Sequence, residues 1–266
     1  MAKVQLTEAL RAEYQSLFDR CQIKTSKAVE VDRLVSTLIG NKPRYAGIGD
    51  PFDIPWSTIA IIHNMECSQN FDQHLHNGDP LTARTIHEPR ERPNSGNPPF
   101  TWEESAADAL AFDGLTRWKD WSLPGILYCL EGYNGWGYRL YHPDVKSPYL
   151  WSGSNHYVSG KYVADGTWSE SAVSRQCGAA TLLRRIAEKG QLAAEPHVAD
   201  NAFANFSLES LKYAPGKVIA GALELQRFLN RFPGIYVKED GTLGDRTSEA
   251  CKRVFGRYLL GDPRNK

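Results

Sequence analysis

The strongest constraint on the fold is a largely apolar run over residues 54–65 that leads directly into Glu66. Pro55 is tolerated in the first turn of a helix, so the run predicts a helix that begins near this proline. On such a helix Glu66 shares a face with Ile62 and Ile59, one and two turns before it. Because that face is apolar, we expect it to pack into the core and to leave Glu66 at the edge of the buried surface.

A carboxyl group in that position has chemical consequences. Partial burial raises the pKa of a carboxyl group, and the negative end of the helix dipole acts in the same direction. A carboxylic acid that stays protonated near neutral pH can protonate the leaving oxygen of a glycosidic bond. Glu66 is therefore our candidate general acid. The alternative is a residue that merely ends a helix or pairs with an arginine.

Other segments show a helical pattern or interrupt one. The stretch 74–99 is rich in glycine and proline, so we expect it to be irregular, and loops of that length are usually functional or disordered. Residues 132–168 are rich in Tyr, Trp and Gly, which is typical of short strands and aromatic-lined loops. Periodicity and capping residues predict four more helices, over residues 5–20, over residues 26–40, from Thr101 onward, and over residues 169–189.

The C-terminal part has a pattern of its own. Leu225, Phe228 and Leu229 share one helical face, a glycine turn follows over residues 240–247, and a second helix includes residues 250–255. The pattern predicts helix, tight turn and helix. A unit of this size holds little core by itself, so we expect an appended module.

Composition and charge exclude some classes of protein. The 31 basic and 31 acidic residues balance, which argues against a nucleic-acid-binding protein, and no apolar stretch is long enough to insert in a membrane. The five scattered cysteines lack zinc-binding spacing, so we expect no metal and no cofactor. The start of the chain lacks the apolar core of a signal peptide, so we expect synthesis in the cytoplasm. The polar stretch 191–205 suggests domains over residues 1–195 and 196–266.

Residues 54–71 resemble the catalytic helix of the goose-type lysozymes and soluble lytic transglycosylases. In that superfamily the general acid lies in a segment of proline, apolar run and Glu-x-Ser-x-x-Phe, which Glu66, Ser68 and Phe71 match. Residues 132–139 resemble the glycine-rich aromatic turn that borders the sugar groove in lysozyme-like and family-19 chitinase-like folds. The resemblance implies a mainly α (α+β lysozyme-like) catalytic domain that cleaves peptidoglycan between N-acetylmuramic acid and N-acetylglucosamine.

The C-terminal turn resembles the type-1 peptidoglycan-binding domain, a small three-helix unit. Gly241 and Gly244 permit the turn, and Thr247 can fix it by a local hydrogen bond. The resemblance implies that this C-terminal domain binds the bacterial cell wall. The whole architecture resembles that of phage or prophage endolysins, which are released through a holin. A secretion-system effector would have the same architecture. The matching residues are Gln226, Asp240, Gly241, Gly244 and Thr247.

Glycosidic cleavage commonly uses a second carboxylate, as a base or as a nucleophile. Asp79 is our first candidate because it lies in the long loop just after Glu66, and Asp72 and Glu103 are rivals. Some relatives cleave without a strong second carboxylate, so that possibility stays open. Thr85 and His87, in the same loop, are candidates for holding the water or a sugar amide, although loop hydrogen bonds explain them equally well.

Aromatic residues after position 132 are candidates for lining a sugar groove, because sugar rings stack on aromatic faces and amide side chains can bind N-acetyl groups. Tyr133, Asn134 and Tyr138 are the main candidates for substrate binding, and Trp151 and Tyr157 are further ones. Aromatic residues in a glycine-rich stretch are also often simple core residues.

Three different functions remain open from the sequence. His63, His74 and His76 lie close to Glu66 in the chain and would suit a zinc-dependent cell-wall amidase, which needs three protein ligands and an open position. The second is a chitinase-like glycosidase, and the third is a wall-binding protein without activity. The favoured interpretation is a monomeric peptidoglycan hydrolase, either a muramidase or a lytic transglycosylase.

Overall fold

The computed structural model describes residues 4–164, 166–192, 211–230, 232 and 234–265. The chain divides into two compact units, one formed by Met1–Leu17 and Cys21–Leu183 and the other by Phe18–Arg20 and Arg184–Lys266. The expected domain boundary at 195/196, and most of the expected connection over 191–205, lie outside the described residues.

The first unit is mainly helical, with one small antiparallel hairpin. Strands β1 (Lys161–Ala164) and β2 (Thr167–Ser169) form this hairpin, with Tyr162 opposite Trp168. The mainly α class expected from the sequence is confirmed. The helices are α1 (Glu8–Asp19), α2 (Ala28–Gly40), α3 (Lys42–Gly49), α4 (Trp56–Cys67), α5 (Trp102–Phe112), α6 (Leu123–Tyr133), α7 (Gly137–Tyr141), α8 (Pro148–Trp151) and α9 (Ala179–Glu188). The last residues of α1 and of α9 belong to the second unit.

Helix α4 forms the centre of this unit, and it is buried on more sides than the single apolar face that was expected to pack inward. It packs against α2, α3 and α6, and its residues from Ser57 to Met65 are all buried. A helix enclosed on nearly every side needs apolar residues around its circumference, which the composition of the run supplies. Gly49 permits the close approach of α3, because a Cβ atom there would collide with the Ile54 carbonyl and the Ile59 side chain.

The long segment between α4 and α5 is irregular, as its proline and glycine content predicts. It is nevertheless anchored, because Leu75, Leu81 and Phe100 are buried and the Phe100 amide donates to the Leu81 carbonyl at 2.9 Å. Thr101 caps α5 as expected. Its hydroxyl accepts from the Glu104 amide, and the Glu104 carboxylate accepts in return from the Thr101 amide at 2.8 Å.

Two expectations about the region after residue 132 need correction. Helices α7 and α8 occupy part of the stretch that was expected to contain only strands and loops. The helix expected over 169–189 begins ten residues later, at Ala179. Gly178 explains the late start, because its amide donates to the Ser152 carbonyl at 2.8 Å and a Cβ atom there would collide with the Leu150 carbonyl. This close approach holds the preceding segment outside a helix.

The second unit combines helices with a small sheet. Strands β3 (Ala214–Val218) and β4 (Thr242–Leu243) pair antiparallel, and helices α10 (Ala222–Leu229) and α11 (Asp245–Phe255) flank the turn. The expected order of helix, turn and helix is confirmed. A third helix of this module was expected, and the described residues after 192 contain only α10 and α11. The unit has its own core, to which Leu225, Leu229, Cys251 and Val254 contribute.

Across the described residues, no helix is long and apolar enough to span a membrane.

Candidate functional site

A cavity of about 660 Å³ lies in the first unit, at the point where three helices end. Glu66 reaches it from the last turn of α4, Asp113 follows α5 directly, and Tyr133 is the last residue of α6. His76 and Pro89, both from the irregular segment after α4, also line the cavity. Cavities of this size accommodate one or two sugar rings or a comparable small ligand.

Glu66 has the environment that its position on α4 predicts. The side chain is partly buried, and its Oε1 accepts a hydrogen bond from the Tyr149 hydroxyl at 2.9 Å. Burial raises the pKa of Glu66, the Tyr149 hydrogen bond lowers it, and the negative charge of nearby Asp113 raises it again. The net direction is upward, as expected from the sequence, because burial outweighs the single hydrogen bond. Glu66 can therefore keep its proton at a higher pH than a free glutamic acid.

Asp113 is the carboxylate that the structure brings to Glu66, and the sequence did not single it out. It ends α5 just before Gly114, whose φ of +77° turns the chain away from the helix. Desolvation by neighbouring protein atoms raises the pKa of Asp113, whereas the Tyr133 hydroxyl and the positive charge of Arg92 lower it. The net pKa shift is again upward, although part of the residue remains exposed to solvent.

Two tyrosine hydroxyls complete the carboxylate pair. Tyr149 hydrogen-bonds to Glu66, and Tyr133 hydrogen-bonds to Asp113. Burial raises the pKa of both tyrosines far above its usual value, and the adjacent carboxylates raise it further. Both hydroxyls therefore remain protonated and act as hydrogen-bond donors. Tyr133, predicted as a substrate-binding residue, lies in the cavity with its hydroxyl directed to Asp113.

The other candidates for lining a sugar groove are not part of the cavity lining. Asn134 is exposed, and it is not part of the cavity lining. Tyr138 is buried, its hydroxyl accepts from the Tyr162 amide at 3.3 Å, and its ring packs edge-on against Trp168. Trp151 is also buried. Tyr138 and Trp151 thus belong to the core of the first unit.

Tyr157 is buried as well, and its hydroxyl bonds to backbone atoms before β1 and after β2. It donates to the Gly160 carbonyl at 3.1 Å and accepts from the Ser174 amide at 3.1 Å. These bonds close the loop around the hairpin, so the side chain serves the packing of this region.

Asp79 is engaged by its own loop. Its Oδ2 accepts from the amides of Ile86 at 2.8 Å and His87 at 3.0 Å, and its Oδ1 lies 2.7 Å from Nδ1 of His87. Burial acts to raise its pKa, but these hydrogen bonds from His87 and Ile86 prevail and lower the pKa to about 2. Asp79 is thus ionised at neutral pH, and it is not among the residues that line the cavity.

The remaining loop candidates also make local contacts. Thr85 is buried, donates to the Pro89 carbonyl at 2.5 Å and accepts from the Arg92 amide at 2.9 Å. Asp72 is exposed, and Glu103 pairs with an arginine, Arg44, at 2.7 Å. Like His87, whose side chain is 75% exposed, they lie outside the cavity lining.

The three histidines considered as metal ligands are each engaged elsewhere. His63 is buried, with Nδ1 at 3.0 Å from the Tyr45 hydroxyl and Nε2 at 3.1 Å from the Asn70 carbonyl. His74 contacts the Ser105 hydroxyl and a backbone carbonyl, both at 2.8 Å. His76 contacts the carboxylate of Asp108 at 2.8 Å. Among the described residues, no group of three or more His, Cys, Asp or Glu side chains is placed to hold a metal ion.

Aromatic rings form a further part of the cavity wall. Trp118 stacks on Tyr128 with ring centroids 5.4 Å apart, and Tyr128 lies 4.8 Å from Trp136. The polar edges of two rings are fixed, because the Trp118 indole donates to the Asp120 carbonyl and the Tyr128 hydroxyl donates to a backbone carbonyl, both at 2.6 Å. Rings held in this way can offer flat apolar faces to a ligand.

In the second unit, the residues that match the binding-module motif hold one another in place. Gln226 is buried, its Oε1 accepts from the amides of Asp240 at 3.0 Å and Gly241 at 2.8 Å, and its Nε2 donates to the Thr242 carbonyl at 2.8 Å. Thr247 lies 3.4 Å from the same amide nitrogen, so it also joins this network. The motif therefore specifies the geometry of the turn.

Two further features of this turn follow from the same network. Burial acts to raise the pKa of Asp240, but hydrogen bonds from Gln226 and Thr242 lower it overall. Gly244 lies at the N-cap position of α11 in an extended conformation. Both residues thus contribute to the local structure of the module.

Comparisons of the chain with known protein families, with curated proteins and with solved structures gave no match.

Proposed function

We propose that this protein is a glycoside hydrolase of the bacterial cell wall and that its first unit is a lysozyme-like catalytic domain. The observation that carries the proposal is the pair of Glu66 and Asp113 in one cavity, with the pKa of both carboxyl groups raised. Two carboxyl groups on either side of the scissile bond are the usual catalytic groups for glycosidic cleavage. The resemblance of residues 54–71 to lysozyme-type catalytic helices supports the same assignment.

In this mechanism Glu66 is the general acid. Its raised pKa keeps it protonated, and it donates its proton to the glycosidic oxygen as the bond to the sugar breaks. The Tyr149 hydroxyl donates to Oε1 of Glu66 and so holds the carboxyl group in place at the cavity wall. After the proton transfer the same hydrogen bond stabilises the carboxylate that forms.

Asp113 is the second carboxylate of the proposal. Once ionised, it stabilises the positive charge that develops on the sugar ring, or it activates the attacking nucleophile. We prefer Asp113 to Asp79 because Asp113 lines the cavity with Glu66, whereas the oxygens of Asp79 are bound to Ile86 and His87. The nucleophile is water in a muramidase and the muramyl 6-hydroxyl in a lytic transglycosylase.

The substrate is the peptidoglycan strand, cleaved between N-acetylmuramic acid and N-acetylglucosamine. The stacked rings of Trp118 and Tyr128, together with Trp136, give the cavity apolar faces on which sugar rings pack. The second unit is the proposed wall-binding module, by its resemblance to the type-1 peptidoglycan-binding domain. In this proposal the enzyme is a monomer that needs no cofactor and reaches the wall through a holin or a secretion system.

The experiment is turbidity loss of purified peptidoglycan sacculi, with an assay for new reducing ends. Wild type is compared with Glu66→Gln, Asp113→Asn and Asp79→Asn, and Glu103→Gln serves as the control for loss of an exposed carboxylate on α5. General acid catalysis contributes about 10²- to 10⁴-fold, so we expect Glu66→Gln to lose at least about a hundredfold of the rate. We expect Asp113→Asn to lose activity and Asp79→Asn to retain it when folded.

The outcomes separate this proposal from the other functions. Lysis that resists EDTA and yields reducing ends supports a glycosidase, and anhydromuramyl products without reducing ends identify a transglycosylase. Lysis that EDTA abolishes and that yields free amines would overturn the proposal in favour of a zinc amidase. Release of sugars from chitin with intact sacculi would indicate a chitinase. Binding to sacculi without lysis would indicate a wall-binding protein.

A further inference from the structure

The cavity is lined by one positively charged side chain that the proposed reaction does not use. Arg117 lines the cavity together with Trp118, four residues after Asp113. Its guanidinium lies over Gly114, since a Cβ atom at that position would be 3.6 Å from Nη2 of Arg117. The side chain therefore lies beside the segment that contains Asp113 and next to the aromatic rings that line the cavity.

Arg117 has no carboxylate partner in the part of the chain that the structure describes, since none lies within 4.0 Å of its guanidinium. The arginine that acts on Asp113 is a different residue, Arg92, and it is bound to both oxygens of Asp108 at 2.8 Å. An unpaired arginine in a cavity that also contains two carboxyl groups can bind an anion of the ligand. It also offsets the repulsion that those carboxyl groups exert on such an anion.

Helix α6 connects the carboxylate pair with the aromatic rings of the cavity wall. Tyr133, which bonds to Asp113, and Tyr128, which stacks on Trp118, both face the cavity from this helix. Five residues of α-helix separate them by about 7.5 Å along the axis. A sugar ring next to the scissile bond can therefore lie against the aromatic wall, with its substituents close to Arg117.

We propose that Arg117 binds a carboxylate of the substrate and thereby selects anionic glycans over neutral ones at this site. The proposal rests on the proposed function. Peptidoglycan carries carboxylates in two places, on the lactyl ether of muramic acid where the peptide has been removed, and on the stem peptide where it is present. Chitin carries neither group. A guanidinium can bind a carboxylate with two parallel hydrogen bonds, so either source fits Arg117.

The test measures binding without turnover. Full-length protein carrying Glu66→Gln is titrated calorimetrically with three ligands, namely a peptide-free glycan of alternating N-acetylglucosamine and N-acetylmuramic acid, the same glycan with stem peptides, and a chitooligosaccharide of equal length. Each titration is repeated with Arg117→Gln added. Lys119→Gln is the matched control, because it removes the same charge from an exposed position two residues away that does not line the cavity. Circular dichroism checks that each variant is folded.

We expect Arg117→Gln to weaken binding of an acidic glycan by about tenfold, the effect of one partly exposed charge-assisted contact. Binding of the chitooligosaccharide and the Lys119→Gln titrations should not change. Loss on the peptide-free glycan identifies the lactyl carboxylate, and loss confined to the stem-bearing glycan identifies the peptide. Equal weakening for all three ligands, or none for any, would overturn the assignment of Arg117. If the parent protein binds none of the three glycans, both the proposed function and this inference are overturned.

Discussion

His63 makes the stability of the protein depend on pH in a way that can be calculated. It lies on α4 three residues before Glu66, fully buried between Tyr45 and the carbonyl of Asn70. Burial lowers its pKa from 6.5 to about 4, and this effect outweighs the hydrogen bond to Asn70, which acts to raise it. His63 is therefore neutral in the folded protein at any pH well above 4.

The sign of the effect follows from which state binds the proton. Below pH 6.5 the unfolded chain protonates His63, whereas the folded protein does not until about pH 4. Folding must then exclude a proton, so the free energy of unfolding falls as the pH falls through this window. The difference between the two pKa values corresponds to a loss of about 3 kcal/mol by pH 4, and of about 2 kcal/mol at pH 5. Stability that depends on neutral His63 is fully present only above pH 6.5.

Urea unfolding followed by tryptophan fluorescence measures this effect, at pH 7 and pH 5, for wild type and for His63→Gln. Glutamine keeps a hydrogen-bonding side chain but does not titrate. The variant should be less stable than wild type at pH 7, because it loses ring contacts with Phe71 and Trp102. Its stability should fall by about 2 kcal/mol less than that of wild type between pH 7 and pH 5. Equal losses for the two proteins would show that burial does not lower the pKa of His63, and would refute the reasoning.

Two further predictions follow from hydrogen bonds at the site and in the second unit. Tyr149→Phe removes the donor that lowers the pKa of Glu66, so the alkaline limb of the kcat/KM profile should move to higher pH; an unchanged or lower limb would contradict this role. Gln226→Ala leaves buried backbone groups of the turn without partners and should lower the free energy of unfolding of the second unit by about 2–4 kcal/mol, measured by urea titration. Arg227→Ala, on the exposed side of α10, is its control and should cost less than about 1 kcal/mol.

Local features of the fold could be predicted where one short segment contains the whole signal. The apolar run before Glu66 predicted α4 and the burial of one of its faces, because an apolar helix face is stable only against a core. The structure buries this helix on nearly every side. Thr101 and Glu104 form the predicted N-terminus of α5, since capping depends only on residues three positions apart. The late start of α9 was missed because the cause is a contact of Gly178 with a distant carbonyl, that of Leu150.

The candidate site likewise has one part that the local sequence predicted and one part that depends on distant contacts. The sequence determined that a carboxyl group would end a buried helix and have a raised pKa, because both properties depend on the apolar residues that precede Glu66 in the chain. Only the tertiary structure decided which carboxylate faces it. Asp79 is nearer in the chain but is held by its own loop, whereas Asp113 reaches the cavity because α5 ends beside α4 and α6. The spacing between residues predicts neighbours within one helix, but distant segments become neighbours only through the packing of the whole unit.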